Sequence, residues 1–97
     1  MKTPAECRSL EDVRAEIDRI DRAIVSLIGD RAAYVHAAAR FKTSEAAVAA
    51  PERQESMLRA RRAWAEEEDL DPDVIEKLYR DLVRYFIVRE LEHWKSL

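Results

Sequence analysis

The 97-residue sequence predicts an all-α protein with one domain over residues 1–97, and three observations carry that prediction. One Gly and three Pro accompany a charged fraction of 38% and an apolar fraction of 47%, a balance that favours helices and is poor in β-turn residues. Apolar residues step through Val13, Ile17, Ile20, Ile24 and Leu27 at intervals of four and three, the repeat of a single helix face. Pro51 and Pro72 each stand where the first turn of a helix accepts proline, because the missing N–H would have had no intrahelical partner there.

Ser9, followed three residues later by Asp12, has the form of an N-cap with a variant capping box, so the first helix starts at Leu10. It is expected to run to about Phe41. Gly29 weakens a helix interior by about 1 kcal/mol, too little to stop one among so many good helix formers. Such a helix measures about 48 Å, against a radius of gyration of about 12–13 Å for a compact domain of this size. It therefore needs a partner along its length, and a second copy about a two-fold axis is the simplest one. The expectation is an entwined homodimer. Thr43 to Ala50 is small and weakly patterned; a short second helix follows from Pro51 to about Glu67, with Met57, Leu58, Ala60 and Trp64 as its apolar stripe. Arg59, Arg61 and Arg62 are assigned to its wet side. Asp71 then caps a third, medium-length helix from Pro72 to about Lys95, with Ile75, Tyr79, Leu82, Val83 and Phe86 on one face, continued by Glu90 and Trp94.

Several function classes drop out early. A net charge of −3 offers no general field for nucleic acid or an anionic membrane, and Arg61-Arg62 is followed by the acidic run 66–69. Cys7 is the only cysteine, which excludes an internal disulfide or thiolate cluster and suits a reducing, cytoplasmic setting. The N-terminal residues lack a signal-peptide pattern, and no apolar run reaches membrane-spanning length. His36 and His93 have no ligand at metal-binding spacing, so no metal is expected.

Two polar intruders point to chemistry. Arg31 falls on the next beat of the first helix's apolar stripe, and Glu90 occupies the same kind of position on the third helix. Buried charges need partners, so an internal ion pair between them, with Lys42 as a third member, is one reading. The other is a pocket for a small dianion. Arg14, Arg31, Lys42 and Arg53 all flank apolar stripes, more cations than one Glu neutralises.

The segments LEDVRAEIDRID, GDRAAYV, RFKTSEAAVAAPER and YFIVRELEHW carry a resemblance to the all-helical, type II chorismate mutase family, nearest to its isochorismate pyruvate-lyase branch. The resemblance implies an entwined dimer of three-helix chains with two active sites and no cofactor. It implies that Arg14 reaches across from the partner chain, that Arg31 and Lys42 serve their own chain's pocket, and that Arg53 and Gln54 help bind substrate. Glu90 stands where a polar residue meets the substrate's ether oxygen, and Val35, Met57, Phe86 and Ile87 line the pocket. The lyase branch carries Gln at the position of Glu90 and an apolar residue at that of Gln54, so chorismate mutase stays open as an activity. So does a non-catalytic helical interaction module.

Overall fold

In a computed structural model, which describes residues 1–96, the described chain is helical with short connections. α1 spans Leu10–Ala38, α2 Glu45–Ala49, α3 Pro51–Glu67 and α4 Pro72–Ser96, with 3-10 turns at Pro4–Glu6 and Ala39–Phe41. The three principal helices begin where the capping and proline signals put them. Two departures are local. The first helix tightens into a 3-10 turn over its last three expected residues, and the weakly patterned segment holds the five-residue α2. The Ser44 hydroxyl caps α2 by accepting from the Ala47 N–H at 3.1 Å.

The chain divides into two compact units, residues 1–34 and residues 35 onward. In the first, the Ser9 hydroxyl accepts from the Asp12 N–H at 3.0 Å, while the Asp12 carboxylate accepts from the Arg8 N–H at 2.9 Å. The reciprocal box thus closes one residue earlier than the sequence pattern implies. Lys2 adds an ion pair to Asp12 at 3.1 Å, fastening the N-terminal turn to the helix. The 29 residues of α1 extend about 43 Å. Its stripe of Leu10, Val13, Ile17, Ile20, Ile24 and Leu27 stays 39–65% exposed in the single chain.

The second unit has its core between α3 and α4, where Met57, Leu58 and Val83 are buried and Tyr79 and Ile87 pack against them. α2 and the 3-10 turn at Ala39–Phe41 also lie on α4. Ala39 is fully buried, and its small side chain lets that turn approach closely. The reading of α3 needs one correction. Ala65, not Trp64, is buried, and Arg61 is half-buried with its guanidinium 4.6 Å from the Trp64 ring centre and 5.5 Å from that of Tyr79. Met57, Arg61 and Ala65 follow one another at intervals of four, so Arg61 belongs to the inner row and covers aromatic faces with its cation.

Arg62 is likewise engaged, bonding Asp73 at 2.8 Å and Glu76 at 3.1 Å, while Arg80 bonds Glu76 at 2.9 Å. The Arg80 hydrogen bond, followed by that of Arg62, holds the Glu76 carboxyl below its ordinary range. A depressed carboxyl pKa stabilises the fold above the unfolded value of about 4.3, and this contribution disappears as pH falls through the lower folded value. Glu76→Gln should therefore melt below the parent at pH 7, with the gap closing at pH 3. Equal gaps at both pH values would show that the cluster adds no charge-dependent stability.

Candidate active site

The site is built around one ion pair. Lys42 follows the 3-10 turn in extended conformation, φ −100° and ψ 137°, and its N–H donates to the Ala39 carbonyl at 3.2 Å. Its ammonium donates to both carboxylate oxygens of Glu90, at 2.6 and 3.1 Å. Glu90 is 5% exposed and is the one buried charged residue among those described. A carboxylate so deeply withdrawn from water is held by its counter-ion. The Lys42 side chain keeps 25% exposure, against 4% for that of Glu90. An ammonium has three N–H donors, and Glu90 occupies two, leaving one for an incoming anion. Phe86, one turn before Glu90, is buried. Trp94, one turn after it, is half-buried and donates its indole N–H to the Lys42 carbonyl at 3.0 Å.

Gln54, Met57 and Ile87 meet in a groove of about 280 Å³ between α3 and α4, with Arg80 and Arg84 also on its wall. The Gln54 amide leans toward the Ala49 carbonyl at a long 3.5 Å. The chain enters α3 through Ala50, at φ 38° and ψ 62°, a left-handed conformation unusual for a residue with a Cβ. Its carbonyl accepts from the Gln54 N–H at 3.0 Å, and Pro51 follows at the first helical position. This reversal places Arg53 on the exposed first turn of α3, beside a shallow depression lined by residues 50–53. Val35 is half-buried near the end of α1. Arg14, exposed, and Arg31, half-buried, lie on α1 within the first unit.

The structure thus joins Lys42 with Glu90, and Gln54 with Met57 and Ile87. Sequence reasoning passed over two contacts. Trp94 entered it only as the end of an apolar stripe, and the two histidines were read separately, whereas His36 and His93 stack with ring centres 3.6 Å apart. The spacing of four from Glu90 to Trp94 was the available signal for the first. None existed for the second.

An all-helical chain with a half-buried cation gripped by a buried carboxylate suits a pocket that orients a small anion and needs no nucleophile. Residues 13–91 match the family chorismate mutase type II, and the chain belongs to that family. It is 47% identical over 96 residues to the isochorismate pyruvate lyase of Pseudomonas aeruginosa, covering 99% of this chain and 95% of that one. It is also 36% identical over 77 residues to the T-protein of Haemophilus influenzae, covering 78% of this chain but 20% of that longer protein. No helix among the described residues is long and apolar enough to cross a membrane.

Proposed function

We propose that the protein is an isochorismate pyruvate lyase, a pericyclic enzyme that converts isochorismate to salicylate and pyruvate and retains some chorismate mutase activity. The observation that carries this reading is the Lys42–Glu90 pair, a cation tethered at the seam of α4 with one donor left for substrate. Near-complete coverage of a relative that bears the lyase name supports the choice of substrate.

In the lyase reaction a ring hydrogen passes to the methylene carbon of the enolpyruvyl group as the ring C–O bond breaks. The ring becomes aromatic, the methylene becomes a methyl group and the ether oxygen becomes the ketone of pyruvate. All atoms come from one molecule, so the protein's part is to hold the folded conformer and to stabilise negative charge growing on the ether oxygen. Arg14 from the partner chain, together with Arg31 and Arg53, clamps the two carboxylates, for which the planar guanidinium fork is suited. Lys42 supplies the point charge at the reacting oxygen. Glu90 anchors that charge through both carboxylate oxygens. Gln54 meets a polar substituent, and Val35, Met57, Phe86 and Ile87 shape the apolar wall.

The enzyme acts as an entwined homodimer. Support comes from the six apolar residues that α1 leaves 39–65% exposed, a continuous stripe of the kind that marks an interaction face. A cytoplasmic setting suits the single free Cys7.

Chorismate mutase is the second reading, favoured by the polar pair Gln54 and Glu90, where the lyase branch carries an apolar residue and Gln. Incubating the purified protein separately with isochorismate and chorismate decides between the two. Salicylate and pyruvate from isochorismate, formed faster than prephenate from chorismate, is the expected result. Prephenate alone would establish the mutase, and turnover of neither by a folded dimer would leave the interaction module.

A further inference from the structure

α4 grips Lys42 at two points one helical turn apart. Glu90 accepts from the ammonium, and Trp94 donates to the same residue's backbone carbonyl at 3.0 Å, bridging 52 positions of sequence. Upstream, the stack of His36 on His93 fastens the last turn of α1 to the same end of α4. Between these ties, Arg40 and Phe41 are exposed, with Phe41 showing 75% of its surface. Ala39 seats this turn on α4, while the two exposed residues between it and Lys42 add little packing of their own. The indole N–H fixes the point from which the lysine's flexible four-carbon stem departs.

We propose that Trp94 is a positioning residue for Lys42, acting on turnover through the backbone from which the ammonium is presented. This rests on the reading of Lys42 as the group that meets the substrate. A displacement of about 1 Å at a reacting centre is enough to lower a rate by up to about 10²-fold, whereas loss of one neutral hydrogen bond changes overall stability little. The two effects are therefore separable.

The test compares the parent with Trp94→Phe and with replacement of Trp94 by β-(3-benzothienyl)alanine, which keeps the bicyclic ring and lacks only the N–H. Turnover of isochorismate and of chorismate is measured alongside melting temperature. Both variants should lose about tenfold in kcat, with KM changed less than about twofold and the benzothienyl form melting within a few degrees of the parent. Unchanged kcat in the benzothienyl form, or a rise in KM alone, overturns the proposal, including when Trp94→Phe fails to fold. Lys42→Ala in the same series separates the two levels of inference. Full turnover there overturns the role of Lys42 and this proposal with it. Loss there with normal turnover in the benzothienyl form overturns this proposal alone.

Discussion

Lys42→Ala is expected to lower kcat by about 10²–10³-fold, the effect of removing one preorganised charge from a developing oxyanion. Stability should fall as well, because Glu90, at 5% exposure, loses the cation that both its oxygens contact. A second substitution separates the two losses. In Lys42→Ala combined with Glu90→Gln, the buried site no longer holds an uncompensated charge, so the melting temperature should recover while turnover should not. Lys42→Arg should also perform poorly, since a planar fork does not reproduce the reach of a single ammonium. Turnover within a few-fold of the parent in Lys42→Ala would remove this lysine from the reacting centre.

Arg14→Ala and Arg31→Ala should each abolish most turnover when made separately, and co-expression of the two chains should restore part of it. If each pocket takes Arg14 from one protomer and Arg31 from the other, every mixed dimer contains one pocket with both arginines and one with neither. Random pairing makes half the dimers mixed, so about a quarter of all pockets are intact. Differently tagged chains allow mixed dimers to be isolated, and these should show about half the parent's activity per dimer. An inactive mixed dimer would mean that both arginines serve the same pocket from one chain.

The fold was legible wherever local chemistry decides it. Ser9, Pro51 and the Asp71-Pro72 pair set helix starts through the backbone N–H groups of a first turn, and such signals lie within four residues of what they control. Glu90 was legible as a misplaced charge because the repeat of four and three exposes one. Its partner was less so: the spacing set Arg31 and Lys42 side by side as options, and only the packing of the 3-10 turn on α4 brings the Lys42 ammonium to 2.6 Å. Arg61 misled for a related reason. Charge alone assigns an arginine to solvent, yet a guanidinium flanked by Trp64 and Tyr79 covers apolar surface with its stem and ring faces with its head. The His36–His93 stack joins residues 57 positions apart, beyond the reach of any helical period.

The indole bond to Lys42 also makes the proposed reacting centre visible to light. The chain has two tryptophans, and Trp64, 50% exposed beneath the Arg61 guanidinium, lies on α3, away from the contact with Lys42. With Trp64 replaced by Phe, all indole emission comes from Trp94, whose N–H reports on the very carbonyl that carries the lysine. Any shift of that segment when an anion engages the ammonium should then move or quench the signal in an unlabelled protein. Mixing such a chain with a non-reacting dicarboxylate in a stopped-flow fluorimeter follows substrate capture separately from bond breaking, and gives the lysine's motion a rate of its own.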